Sequence, residues 1–369
     1  MAGAAASRQP TAPANRGAVR LMIVDDSMVA RAVLSRMIGA DPMFEVHAVA
    51  GTAEDAVIAL GHASVDIILL DLEMPGAGGL NLLPEILKAA HGAKVLIVSS
   101  QAEDGAEVTL KALEMGAADT LPKPGTGRFG GKFSEILLER LRTLAKDMVR
   151  SAPRPRVPQP PAHRAASPEL PLRVMPEGPL ELLAIGASTG GIHALASFFG
   201  ALPERIGVPI LVTQHLPPAF MAVFARQLAA ASGRTCVVAQ DHIPLFADQV
   251  YVAPGESHLM VEKRRSGLYA RLSNDASPSG CRPSVDPMFQ SAGEQLGAAA
   301  LGIILTGMGR DGTIGAASMV KHGAGVITQD EASCAVWGMP RSVTDAGLVC
   351  AIAPPEELAR IVLKRVSKD

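Results

Sequence analysis

The sequence predicts an α/β protein made of two doubly wound parallel-sheet domains joined by a proline-rich linker. Three observations carry that expectation. Short apolar runs end in glycine or a polar residue and alternate with stretches of helical periodicity, the pattern of repeated βα units. The apolar content comes mainly from Ala, Val, Leu and Ile, with aromatic residues at only 3%. Between Ser151 and Leu180, nine prolines interrupt all periodicity and divide the alternation in two.

Residues 1–18 are Ala/Pro-rich, lack the apolar segment of a signal peptide and read as a disordered tail. The first domain is expected over 19–149. Val19 to Val24 reads as a strand ending in Asp25-Asp26, after which Ser27 caps a helix whose stripe is Val29, Val33, Leu34, Met37 and Ile38. Further strands are expected at Phe44–Val49, Asp66–Leu70, Lys94–Val98 and Ala118–Leu121, with helices over 53–61, 79–90 and 104–115 between them. A last amphipathic helix places Leu137, Leu141, Leu144 and Met148 on one face.

Asp25 and Asp26 follow the first strand and Asp71 follows the third, so a doubly wound sheet brings their carboxylates to one crevice. Three clustered carboxylates repel one another unless a cation sits among them, and a hard oxygen-ligated ion such as Mg²⁺ suits them. Ser99 ends the fourth strand, and Lys123, before Pro124, ends the fifth. An acid trio, a hydroxyl and a lysine at successive strand ends make a phosphoacceptor constellation. These residues resemble the receiver domain of two-component response regulators, a flavodoxin-like fold. The resemblance implies that Asp71 is phosphorylated and that Asp25, Asp26 and the Glu73 carbonyl join it around Mg²⁺. It implies Ser99 as the switch hydroxyl, Lys123 as the phosphate contact and a cis bond before Pro124. Thr120 stands where many receivers carry a switch aromatic, a departure from the pattern.

The linker is expected over 150–180 as an extended, semi-stiff connector. The second domain follows over 181–369. Leu182 to Ile185 reads as a buried strand, followed by the small residues of Ile185-Gly186-Ala187-Ser188-Thr189-Gly190-Gly191 and a helix over 192–201. More strands are expected at Val208–Gln214, Thr235–Ala239, Gln249–Val252, Leu301–Leu305 and Gly325–Thr328, with helices over 219–231, 287–299 and 313–322. Leu259–Glu262 and Tyr269–Leu272 should pair as a hairpin across Arg264-Arg265-Ser266-Gly267.

Ser188 fits G-x-S-x-G at a strand-to-helix turn, where helix N–H groups can hold a developing oxyanion. His215 directly follows a strand, in Gln214-His215-Leu216-Pro217-Pro218, and Asp311 follows another in Leu305-Thr306-Gly307-Met308-Gly309-Arg310-Asp311-Gly312. Three strand ends thus supply a nucleophile, a base and an orienting carboxylate, the set acyl transfer requires. The order Ser…His…Asp differs from those of α/β-hydrolases, chymotrypsin and subtilisin. A competing reading lies in the same loop. Gly307-x-Gly309-x-x-Gly312 opens a helix after a strand, and Asp330 lies 18 residues on at the next strand end, as in a dinucleotide fingerprint.

The Ser188, His215 and Asp311 motifs, with Tyr251-Val252-Ala253-Pro254-Gly255, resemble the catalytic domain of the chemotaxis protein-glutamate methylesterase family (CheB), a Rossmann-like domain preceded by a receiver. The resemblance spans about 19–365. It implies Ser188 as nucleophile, His215 as general base and Asp311 as its partner, with Thr189 and Met308 close by. By position, the backbone N–H groups of those two are the expected oxyanion donors. It implies hydrolysis of glutamate γ-methyl esters on chemoreceptors and deamidation of certain glutamines there, without a cofactor for the esterase step. A chemotaxis histidine kinase is the implied phosphodonor, and the unphosphorylated receiver is implied to cover the Ser188 face.

Composition bounds the alternatives. A net charge of −2 and a pI near 6.5 give no electrostatic footprint for nucleic acid. The second half shows no basic recognition helix after a short turn, so transcriptional output is disfavoured. The cysteines Cys236, Cys281, Cys334 and Cys350 are scattered without C-x-x-C, so a reduced compartment and no metal cluster are expected. No apolar run reaches the roughly 18–20 residues of a membrane helix, and a cytoplasmic location is expected.

Overall fold

A computed structural model describes residues 18–99, 103–123, 130–151 and 172–366. Pro124, residues 1–17 of the tail and most of the linker lie outside the described residues.

The first sheet is built from β1 (Val19–Val24), β2 (Phe44–Ala50), β3 (Ile67–Leu70), β4 (Lys94–Ser99) and β5 (Asp119–Pro122). Helices α1 (Met28–Ile38), α2 (Ala53–Leu60), α3 (Gly78–Ala89), α4 (Glu103–Glu114) and α5 (Gly131–Ser151) follow the strands in turn. All pairings are parallel, in the order β2-β1-β3-β4-β5. The chain reverses direction across the sheet between β1 and β3, so the ends of those two strands border one crevice. Ser27 caps α1, its hydroxyl accepting the Ala30 N–H at 3.2 Å. The stripe of α1 differs from expectation, since Val29 is exposed and Ala30 takes its place in the core. Leu137, Leu141 and Leu144 of α5 are buried as the periodicity requires.

The second sheet comprises β6 (Leu182–Ala187), β7 (Ile210–Gln214), β8 (Cys236–Val238) and β9 (Val250–Val252), then β12 (Ala300–Ile304), β13 (Gly325–Gln329) and β14 (Ala351–Ala353). Its order is β14-β13-β12-β6-β7-β9-β8, again with every pair parallel. Helices α6 (Gly191–Ala201), α7 (Pro218–Ser232), α8 (Val285–Leu296), α9 (Thr313–Lys321), α10 (Met339–Asp345) and α11 (Pro355–Val366) surround it. With both faces covered, the central strands read as unbroken apolar runs, and every residue of β6 is buried. The hairpin forms a sheet of its own from β10 (His258–Arg264) and β11 (Gly267–Ser273), with Leu259 opposite Leu272 and Glu262 opposite Tyr269. Here the switch point lies between β6 and β12, which aims the ends of β6, β7 and β12 at one rim.

Residues 172–180, read from sequence as the end of the connector, are fastened to the second half of the chain, at the loop before β14 and at α11. Arg173 N–H donates to the Val349 carbonyl at 2.8 Å, and Arg365 reaches the Glu177 carbonyl at 3.4 Å. The two sheets also share an apolar core. Leu110, Leu113 and Ala117 of the first half pack in one cluster with Leu195, Phe198 and Phe224 of the second.

Close packing under the rim depends on Gly186 in β6. A Cβ there would come within 2.5 Å of Val285 Cγ1 and 2.7 Å of Cγ2, with Ile304 Cδ1 at 3.2 Å. Gly186→Ala should lower stability by about 1–3 kcal/mol through overpacking. Urea unfolding of the two proteins measures this, and an unchanged midpoint would show that the Val285 contact yields freely.

Candidate active site and phosphoacceptor site

The register of the second sheet sets the first distance. Ala187 pairs with Gln214 as the last residues of β6 and β7, so Ser188 and His215 are the next residues on adjacent strands. His215 N–H donates to the Ala187 carbonyl at 3.2 Å, and Ser188 N–H to the Thr306 carbonyl at 3.0 Å. Gln214 Nε2 fixes the Ser188 carbonyl from the other side at 2.8 Å. Gly190, at φ +75°, starts α6, and Thr306 Oγ1 donates to the Thr189 carbonyl at 2.9 Å.

Asp311 arrives from the loop after β12. Its Oδ2 lies 2.7 Å from His215 Nε2 and accepts the Val285 N–H at 2.8 Å, while Oδ1 accepts the Ser284 hydroxyl at 2.6 Å. Burial alone would raise this carboxyl, but the imidazole, the hydroxyl and the N–H together hold it well below the usual carboxylate range. Ser284 also caps α8, and its own N–H donates to His258 Nδ1 at 2.9 Å. Sequence reasoning missed Ser284 as the support of Asp311, although Ser284-Val285-Asp286 ahead of a helix carries a capping signal.

The structure thus brings Ser188, His215 and Asp311 to one rim. Thr189 and Met308 flank them, and the N–H of neither donates to an acceptor among the described residues. The glycine-rich loop serves a different end from dinucleotide binding. Its Gly307 carbonyl accepts the N–H groups of Gly338 and Met339 at 3.1 and 2.8 Å, and Gly312, at φ +86°, starts α9 just after Asp311.

At the rim of the first sheet, carboxylate oxygens of Asp25, Asp26 and Asp71 lie within 4.8 Å of one another. An all-oxygen donor set of this charge fits a hard divalent cation. Lys123 Nζ contacts Asp71 Oδ2 at 2.6 Å and Asp25 Oδ2 at 2.8 Å. Burial raises the Asp71 carboxyl, Lys123 acting against that shift. Glu73 N–H donates to Asp71 Oδ1 at 3.1 Å. Ser99 closes β4 opposite Pro122, its side chain lying outside the described residues, and Thr120 is half-buried in β5.

The CheB methylesterase profile matches residues 183–362, and the response regulator receiver domain profile matches residues 21–128. A relative from Rhodospirillum rubrum, named protein-glutamate methylesterase/protein-glutamine glutaminase 1, is 38% identical over 95% of this chain and 96% of its own. A second, from Caulobacter vibrioides and bearing the same name with the number 2, is 39% identical over 94% of this chain and 99% of its own. The chain belongs to the CheB methylesterase family. Among solved structures, the Thermotoga maritima CheB methylesterase catalytic domain matches at 33% identity and a TM-score of 0.49, covering 51% of this chain and 99% of that one.

In this CheB-family chain the receiver half holds the residues next to Ser188. Thr189 Oγ1 donates to Asp119 Oδ2 at 3.0 Å, and Gly190 N–H to the Ala118 carbonyl at 2.8 Å. Asp119 is also ion-paired with Arg140 of α5. His193 Nδ1 meets the Glu114 carbonyl at 2.9 Å, and Val336 and Met308 pack against the receiver core. None of these contacts was foreseen individually.

Beside the triad lies a second buried acid, Asp286, whose Oδ1 accepts the Gly315 N–H at 2.7 Å. Burial and the neighbouring Asp311 charge raise its carboxyl to about 6. The folded protein therefore keeps this proton where the unfolded chain has released it, so stability should fall as pH rises from about 4 to about 6. The effect should be on the order of 2 kcal/mol. Asp311 runs the other way, since its lowered carboxyl contributes stability that is lost only as pH falls below the ordinary carboxylate range. Urea titrations across this window should show the fall in the native chain and a flattened profile in Asp286→Asn. A fall that persists in the variant would exclude Asp286 as its source.

Proposed function

We propose that this chain hydrolyses glutamate γ-methyl esters, and deamidates particular glutamines, on chemoreceptors. The receiver over 19–149 gates the catalytic domain over 181–369. The observation that carries the reading is the 2.7 Å contact of His215 Nε2 with buried Asp311, made beside the strand end that presents Ser188.

With Nε2 engaged by Asp311, His215 Nδ1 is the atom left to take the Ser188 proton. The hydroxyl oxygen attacks the ester carbonyl, and the imidazolium returns the proton to the departing methoxide, so methanol leaves. Water then attacks the glutamyl–serine ester by the same proton exchange and frees the carboxylate. On a glutamine the leaving group is ammonia. Asp311 fixes the ring and stabilises the imidazolium formed in each half. The unsatisfied N–H groups of Thr189 and Met308 suit the developing oxyanion. Tight packing of the receiver against this rim is what a closed, unphosphorylated state would look like.

On the receiver, Asp71 would accept a phosphoryl group from a chemotaxis histidine kinase, with Ser99 and Lys123 contacting the added oxygens. Mg²⁺ held by Asp25, Asp26, Asp71 and the Glu73 carbonyl would supply charge neutralisation for that transfer. Release then has a short route. Lys123 immediately follows β5, and Asp119, which accepts the Thr189 hydroxyl bond, opens the same strand. A phosphate that draws Lys123 from Asp25 and Asp71 biases the strand that carries the contact.

Ser188→Ala should cut methanol release from methylated receptor fragments by roughly a thousandfold or more while leaving the fold unchanged. Retained release would refute the nucleophile assignment. Asp119→Ala should raise the rate without a phosphodonor by about tenfold, the value of one charge-assisted hydrogen bond. A small phosphodonor should accelerate the native chain and leave Asp71→Asn unchanged. If Asp119→Ala is no faster than the native chain, the receiver contact is not what holds the site closed.

A further inference from the structure

Cys281 lies on the loop before α8, and the catalytic reading gives it no part. Among the described residues its thiol makes one hydrogen-bond contact, a long one to the Ser279 carbonyl at 3.9 Å. Donor atoms of Cys281, His215 and Asp311 nevertheless all fall within 4.8 Å of one another. A thiol, an imidazole and a carboxylate are the ligand classes that Zn²⁺ draws upon, and three of them leave its fourth position for water. Sequence spacing could not show this, because each ligand comes from a different loop.

We propose that Cys281, His215 and Asp311 form a binding site for a thiophilic divalent cation such as Zn²⁺, and that occupancy shuts the esterase off. The inhibitory half of this proposal rests on the reading of His215 as general base. Coordination replaces the His215–Asp311 hydrogen bond with metal bonds, moves the ring proton from Nε2 to Nδ1 and releases the Cys281 thiol proton to solvent. Tetrahedral zinc needs its donors about 3.3–3.8 Å apart, so the ring must swing away from Asp311 by somewhat under about 1 Å while the sulfur moves in. Both motions have room. Cys281 and His215 are only partly buried, and the cysteine sits on an irregular loop. Asp311 stays put, because the Ser284 hydroxyl and Val285 N–H anchor it as supporting hydrogen bonds do for metal ligands. Arg140, close enough for its charge to act on Cys281, opposes the cation, so the three donors must outweigh it. A ring bound to metal at one nitrogen and held off Asp311 cannot cycle a proton for Ser188.

The test uses the full chain. One equivalent of Co²⁺ should give a thiolate-to-metal absorption band that Cys281→Ser abolishes and Cys334→Ser keeps. Zn²⁺ should suppress methanol release reversibly on chelation, and Cys281→Ser should raise the half-inhibiting concentration at least tenfold, each protein being compared with its own metal-free rate. No thiolate band, or an unchanged band and equal Zn²⁺ sensitivity in Cys281→Ser, would overturn the site. Full methanol release with the Cys281-dependent band present would overturn the inhibition. The base assignment is tested apart from metal: if His215→Ala keeps its metal-free methanol release, that reading fails whatever the band does.

Discussion

The hydrogen bonds on the Asp311 carboxylate are the constraint on which the catalytic half depends. A buried charge is costly unless it is paired and fully hydrogen-bonded. Here the helix cap Ser284, the first N–H of α8 and the His215 ring together meet that cost. The same bonds fix where α8 starts and which way the imidazole faces. Fold stability and ring orientation are therefore one arrangement, and a change at Ser284 or Val285 would be felt at His215 without touching it. Asp286, the second residue of the same helix, is a buried neighbour whose carboxyl is raised to about 6 by burial and by the Asp311 charge.

The interface extends this economy to the receiver. Its apolar part, where α4 meets α6 and α7, is sequence-tolerant packing continuous with the core. Its polar part is specific, because Asp119 and the Ala118 carbonyl bind the two residues that follow Ser188. Both contacts come from the start of β5 and the residue before it. β5 also leads directly into Lys123, so the Thr189 contact and the phosphoacceptor crevice lie at the two ends of one strand.

Much of this was legible in the sequence, and the reasons are physical. Unbroken apolar runs located the strands of both sheets other than β14 to within about two residues, because burial on both faces favours such runs. The convergence of Ser188, His215 and Asp311 on one rim, and of Asp25, Asp26 and Asp71 on another, was legible because strand ends in a doubly wound sheet converge by topology alone. What escaped was made of short elements or of contacts between distant segments. Strand β14 has three residues, and α10 and α11 open on Met339-Pro340 and Pro355, with proline in the first turn. The amphipathic signal in α11, with Leu358, Ala359 and Val362 buried and Glu356 and Glu357 opening it, was present in the sequence and was not read. The Thr189–Asp119 bond joins residues 70 positions apart, and no local rule places a threonine opposite an aspartate in another domain.

The balance between the two interface components also decides how such a gate can work. An interface held by apolar packing alone would respond little to a phosphoryl group, whose effect is one of charge and hydrogen bonding. One held by exposed polar contacts alone would be too weak to keep the rim covered. Here a half-buried Asp–Thr–Arg contact lies at the edge of an apolar patch, so both components meet in one interface. The acid at the centre of that contact is the natural point of control. Asp119 holds the threonine beside Ser188 and the arginine of α5 at once, so any shift of β5 disturbs both partners together.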